Sequence, residues 1–364
     1  MAALDHLVPS IFWILGWRLA FFVALTFLLF RIFRGFGVRA KALDTPSRWM
    51  NAKPTIGGLV FYIAFCMAII PLWLSYSVGT DYLFIFLSGT AAFLLGLWDD
   101  LKRIPPATKL AGQGIVALLF VFSSHTTFIF EYSNPPSQLL SALQLICSVF
   151  VIVAVMNSIN MLDNMDGIAT IAVIPILLFA SYFDCDEGGV AILFLLGMCG
   201  FLIFNWTPAK IYMGDSGSML LGLVAAWMLL GADSCGEISM RPWSGLSRLM
   251  LILGLGALFI VDSIVVVFNR MRNGVSPMKG GRDHTTHNLF YAGMKQWQIA
   301  ILFLILGVFQ VVLVYFFVEN NRAHSGENVF VACAPILLYF FSLLAFHLAL
   351  SFRNLRLEKY TYSK

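Results

Sequence analysis

VFVIVAVMNSINMLDNMDGIAT, residues 149–170, begins with eight apolar residues and ends as a polar hinge. Its apolar half closes a longer run from about 138 to 156, the length of a helix that crosses a bilayer. Asn157, Asn160, Asp163 and Asp166 then recur every three residues, which sets them on or near one face of a helix. Gly167 permits a break directly after them. A stripe of amides and carboxylates suits hydrogen bonding to a nucleobase or ligation of a hard cation. Helix capping alone needs fewer polar residues.

Outward from this stretch the same design repeats. The chain has 364 residues, 60% of them hydrophobic and 12% charged, with a mean hydropathy of +0.85. Soluble domains carry about 25% charged residues. Eleven apolar runs stand out, at roughly 10–30, 56–76, 82–98, 110–130, 138–156, 168–183, 189–205, 217–232, 247–268, 297–318 and 329–350. The fold expected is all-α, a polytopic membrane bundle of about 11 transmembrane helices forming one domain over 1–364. A β-barrel would alternate apolar and polar residues in strands of about ten.

With the N-terminus outside, 19 of the 23 Lys and Arg residues fall in inner loops. Arg241, Arg248 and Arg322 are then outside, and Arg18 lies in a span. By the positive-inside rule the C-terminus is cytoplasmic. The net charge of +4 reflects this topology and does not point to nucleic acid. Arg18 and the basic segment after the first run argue against a cleaved signal. Of the six cysteines, Cys185 and Cys235 both fall in outer loops, where a disulfide is an option.

Carboxylates beside a bilayer are expensive unless something binds them, and here they gather at inner helix ends. LLGLWDDLKRIPPATK (94–109) sets Asp99 beside Asp100 and places Lys109 after a proline turn, within reach of a phosphate. Adjacent carboxylates imply a cation, a proton or a basic partner. FNWTPAKIYMGDSGSMLLG (204–222) flanks Asp215 with glycines, so the backbone can approach a ligand, and offers Tyr212 for stacking. NRMRNGVSPMKGGRDHTTHNLFYAG (269–293) joins Arg270 and Arg272, suited to bidentate phosphate recognition, to Asp283, His284 and His287. A protonated histidine fits a pyrophosphate; a zinc pair is disfavoured because no thiolate is near. Asp262, inside the ninth run, either orients these groups or pairs with Arg270.

In chain order, PTIGG (54–58), GLWDD (96–100), NMLDNMDG (160–167), NWTPAKIYMGDSGS (205–218) and RMRNGVSP…RDHTTH (270–287) resemble the motifs of one family. These are the polyprenyl-phosphate N-acetylhexosamine-1-phosphate transferases (glycosyltransferase family 4). The likeness spans about 48–293 and is nearest to bacterial undecaprenyl-phosphate N-acetylglucosamine-1-phosphate transferases. It implies transfer of a sugar 1-phosphate, GlcNAc-1-phosphate above all, from a UDP-sugar to undecaprenyl phosphate with release of UMP. That step would start a cell-envelope polysaccharide. It also implies Mg²⁺, with Mn²⁺ as an alternative, and a bacterial cytoplasmic (inner) membrane enzyme whose site faces the cytoplasm. The implied partners are the UDP-sugar, the lipid phosphate and membrane lipid, without nucleic acid and with a homodimer as an option.

Carried onto this chain, the resemblance makes Asp99 the residue at the lipid phosphate with Asp100 beside it, and His284 and His287 the groups meeting the nucleotide-sugar phosphates. Asp163, Asp166, Tyr212, Asn205, Arg270, Arg272 and Arg282 would bind the nucleotide sugar, Lys109 and Lys53 the lipid phosphate, and Asp215 and Asn160 the metal. One departure stands out. Many bacterial relatives carry HxHH, whereas this chain reads His284–Thr285–Thr286–His287–Asn288. The three-histidine run of the translocase branch is missing, which favours an N-acetylglucosamine donor. Two other classes make different demands. A secondary transporter would place ionisable residues near the midplane, often in repeated halves. An intramembrane aspartyl protease would need a second aspartate deep in another span.

Overall fold

The computed structural model describes residues 2–35, 53–75, 80–123, 138–183, 188–231, 244–323 and 329–356. Cys185 and Cys235 lie outside them. Thirteen helices run through the described residues: α1 (Ala2–Gly35), α2 (Gly57–Ser75), α3 (Thr80–Lys102), α4 (Pro106–Val121), α5 (Gln138–Leu162), α6 (Ile168–Tyr182), α7 (Gly188–Asn205), α8 (Gly214–Gly231), α9 (Ser244–Leu255), α10 (Ala257–Arg272), α11 (Thr285–Tyr291), α12 (Gln296–Ala323) and α13 (Val329–Arg356). Thr55 and Tyr212 form an isolated parallel bridge.

Seven helices (α1, α2, α3, α5, α8, α12 and α13) are long and apolar enough to cross a membrane. Each of the eleven apolar runs overlaps a helix, but the apolar stretches Pro106–Val121 in α4, Ile168–Tyr182 in α6 and Gly189–Asn205 in α7 are of only 10–17 residues. The ninth run departs most from expectation. It is not one rod but two, α9 and α10, bent by 80°. Gly254 and Gly256 flank the break, and glycine pairs are a common cause of sharp kinks. Gly254 also packs so closely on α12 that a Cβ there would lie 2.5 Å from Val314.

α8 is the axis of the bundle. It is buried from Ser216 through Gly231, as a helix apolar on every side must be. α2, α3, α5 and α6 surround it. Large apolar side chains on the outer helices, such as Phe150, Phe316 and Leu338, are exposed, as they would be against lipid. α3 meets the start of α8 backbone to backbone, because a Cβ on Gly96 would lie 2.3 Å from the Asp215 carbonyl oxygen. That contact brings the C-terminal end of α3 to the N-terminal end of α8. The ends of α4, α5, α10 and α11 join them there, so the polar clusters collect at one end of the bundle.

Candidate active site

The N-terminus of α8 organises the site. Its first backbone donors need partners, and Asp100 of α3 supplies them from another helix. One Asp100 oxygen accepts the Asp215 N–H at 2.8 Å; the other accepts the Ser216 N–H at 3.0 Å and the Ser216 hydroxyl at 2.7 Å. Gly214, with φ of 78°, makes the turn into the helix. A Cβ there would strike Thr55 at 2.3 Å, and its left-handed backbone suits glycine.

Asp215 is thereby aimed at the neighbouring helix ends. Its Oδ1 accepts from Lys109 Nζ and, at 2.7 Å, from Asn160 Nδ2. Lys109 Nζ also lies 2.8 Å from Asp99 Oδ2 and 3.1 Å from Asn160 Oδ1. The other oxygen of Asp99 accepts the Ile104 N–H at 2.9 Å, closing the turn between α3 and α4. Ser218 receives a further hydrogen bond from Asn160 at 2.7 Å. Three oxygens from α3, α5 and α8 thus converge on one cationic nitrogen. Among the described residues no three His, Cys, Asp or Glu side chains stand close enough to hold a metal by themselves.

Beside this cluster the chain leaves α5 through Asp163–Gly167, with Gly167 at φ 77°. Burial, reinforced by Asp215, Asp100 and Asp166, pushes the Asp163 carboxyl up to about 8. Asp166 accepts the Ala209 N–H at 2.9 Å, fixing the 206–213 loop. Tyr212 stands at the end of that loop, with Lys53 Nζ 5.1 Å from its ring centre. Burial and then Asp166 push its phenol up to about 12. Asn164 accepts from Thr286 at 2.5 Å, tying this turn to the histidine helix α11.

That helix starts on Asp262, which is fully buried in α10. One Asp262 oxygen contacts His284 Nδ1 at 2.9 Å, and the other accepts the Thr285 N–H and hydroxyl, each at 2.7 Å. The His284 and His287 rings are 5.6 Å apart. Burial first, then His284, holds His287 down to about 3.

The sequence model of glycosyl transferase family 4 matches residues 82–233, which carry α3 through α8 and most of this geometry. A phospho-N-acetylmuramoyl-pentapeptide-transferase of Lactobacillus gasseri is 29% identical over 314 residues, 78% of this chain and 93% of the relative. A decaprenyl-phosphate N-acetylglucosaminephosphotransferase of Mycolicibacterium smegmatis is 27% identical over 310 residues, 76% of this chain and 75% of the relative. Over most of its length the chain is similar to polyprenyl-phosphate hexosamine-1-phosphate transferases. A decaprenyl-phosphate N-acetylglucosaminephosphotransferase of Mycobacterium tuberculosis is 26% identical over 288 residues, 71% of each chain.

Against this geometry the expected residues divide. Asp99, Lys109, Asn160 and Asp215 touch one another, and Asp163, Asp166 and Tyr212 line the adjoining turn and loop. Four other expected residues make different contacts in the free structure. Asp100 serves as the cap of α8, so it acts on the site through Asp215. Asn205 is buried, with its amide spanning the Gly167 N–H at 3.0 Å and the Ile211 carbonyl at 2.8 Å; it braces two loops. Arg270 grips Asp283 through Nε and Nη2, both at 3.1 Å, and the Pro277 carbonyl through Nη1 at 2.8 Å. Its fork is spent inside the loop, and Asp262 is thereby left to orient His284. Arg272 lies with its guanidinium 4.3 Å from the Phe352 ring centre on α13. In the free site burial lowers His287 from the usual imidazole range. Arg282 sits beside His287 and contributes to that shift. Asn164, Thr286, Ser216 and Ser218 were missed, since short polar residues carry no signal in sequence until their partners are known.

Proposed function

We propose that this transferase moves N-acetylglucosamine 1-phosphate from UDP-GlcNAc to undecaprenyl phosphate at the cytoplasmic face of a bacterial inner membrane, releasing UMP. The observation that carries the reading is the convergence of Asp99, Lys109, Asn160 and Asp215 at the same bundle end as the nucleotide turn and the histidine helix. A lipid-phosphate oxygen attacks the β-phosphorus of the donor, and the bond from that phosphorus to the bridging oxygen of UMP breaks. Both reactants are anions, so the work is alignment and charge neutralisation. A phosphate monoester is already largely ionised near neutral pH, so Asp99 holds Lys109 and the turn at Ile104 and need not remove a proton. Lys109 neutralises the lipid phosphate. Tyr212 stacks on the base, and Asp163 and Asp166 hydrogen-bond its edge. His284, oriented by Asp262, and neutral His287 bind the diphosphate oxygens, with Arg282 beside them.

The oxygen set around Lys109 fits a hard divalent cation, which takes oxygen ligands and completes its shell with water and phosphate. Asp215 and Asn160 would hold Mg²⁺, which when bound neutralises and orients the reacting phosphates. The two histidines without a three-histidine run support the GlcNAc donor. The 29% identity to phospho-N-acetylmuramoyl-pentapeptide-transferases makes that sugar phosphate the competing donor. Purified protein given radiolabelled UDP-GlcNAc, undecaprenyl phosphate and Mg²⁺ should form labelled lipid that EDTA abolishes. Excess unlabelled UDP-GlcNAc should suppress the label more strongly than UDP-N-acetylmuramoyl-pentapeptide. Stronger suppression by the latter reverses the donor assignment. Uptake into vesicles without lipid product makes the protein a transporter instead.

A further inference from the structure

We propose that the C-terminal helix α13 positions the histidine pair through Ser351 and Asn354. α13 is apolar, with a mean hydropathy of 2.1 from Val331 to Asn354, yet it carries His347, Ser351 and Asn354 at a spacing of four and three residues. Such residues share one helix face, and all three are buried. Buried polar groups on a membrane helix are costly unless partnered.

The partners bracket the histidines. Ser351 donates to Asn269 Oδ1 at 2.5 Å, and Asn269 donates to the Asp283 carbonyl at 3.2 Å. Asn354 donates to the Asn288 carbonyl at 3.2 Å and to its side-chain oxygen at 3.1 Å. One chain of contacts therefore holds residue 283 and the other holds residue 288, with His284 and His287 between them. α11 has only seven residues, too few to be stable without tertiary support. Asp262 fixes where α11 starts; α13 fixes where it continues. Neither Ser351 nor Asn354 touches the Lys109–Asp215 cluster in any of these contacts, so both act through the histidine helix.

This inference rests on reading the histidines as phosphate-facing groups, but half of its test does not. In the full-length protein, Asn354→Ala should lower kcat for transfer about 10-fold while leaving KM for UDP-GlcNAc within about two-fold. Without substrate, diethylpyrocarbonate should modify His287 several-fold faster in that variant, as followed by mass spectrometry. His347, buried on α13 itself, should remain as slow as in the wild type. Ser351→Ala, a smaller change, should move the same readouts in the same direction if Asn354→Ala does not fold. Unchanged His287 labelling overturns the proposal. So does equal acceleration at His287 and His347, which would signify general loosening, and so does faster labelling with unchanged kcat. If the wild type itself shows no transfer, the labelling arm still judges the clamp and only the transferase reading fails.

Discussion

Replacing Asp100 by alanine leaves the Asp215 N–H, the Ser216 N–H and the Ser216 hydroxyl without their acceptor. Loss of a helix cap costs about 1 kcal/mol, and each buried donor left unpaired costs about 1–3 kcal/mol. Asp100→Ala should therefore lower both Tm and activity. Asp99→Ala should lose activity with a clearly smaller fall in Tm, and the pair of measurements separates the two neighbours. Lys109 makes a second test. In the free site its ammonium occupies the position between Asp99 and Asp215 where a divalent cation would compete. Lys109→Met should abolish transfer and enlarge the Mg²⁺-dependent rise in Tm; an unchanged rise would mean that lysine and metal do not share these oxygens. His287 gives a pH test. Its folded pKa of about 3 lies below the unfolded value of about 6.5. Its contribution to stability is therefore complete above pH 6.5 and is lost as pH falls toward 3. His287→Gln should flatten that loss in a Tm-against-pH series. Part of this geometry was legible in the sequence and part was not. Asp215 and Asn160 stand out by type and spacing. Asn205 and Arg270 carry the same side chains as ligand-binding residues but spend them on loop carbonyls and on Asp283.

At the scale of elements, the helices were legible because each apolar run must satisfy its backbone internally in lipid. The break between α9 and α10 was not, since both halves are apolar and no proline marks it. The contact between α3 and α8 is the element-level feature most exposed to test. A side chain at Gly96 would overlap the Asp215 backbone, and overpacking typically costs about 1–3 kcal/mol. Gly96→Val should lower Tm and also reduce activity, because it displaces the residue that anchors the site. A control at Gly114, where a Cβ meets nothing within 4 Å, should leave both nearly unchanged as Gly114→Ala.

For the molecule as a whole, the decisive fact is that acidic, amide and histidine groups from α3, α5, α8, α10 and α11 meet at one end of the bundle. Sequence order and charge asymmetry anticipated that gathering. They did not show that Lys109 would sit at its centre, or that α13, remote in sequence, would brace the histidine helix. An arrangement at one end of the bundle suits the proposed chemistry between a water-borne nucleotide sugar and a membrane-borne acceptor. The most direct test of that chemistry follows the donor's own phosphorus. UDP-GlcNAc labelled with ³²P at the β-phosphate should pass its label to undecaprenyl phosphate, with one UMP released per labelled lipid and none formed by Asp215→Ala. Label that stays on the released nucleotide, as UDP, would show that sugar alone is moved and would contradict the account.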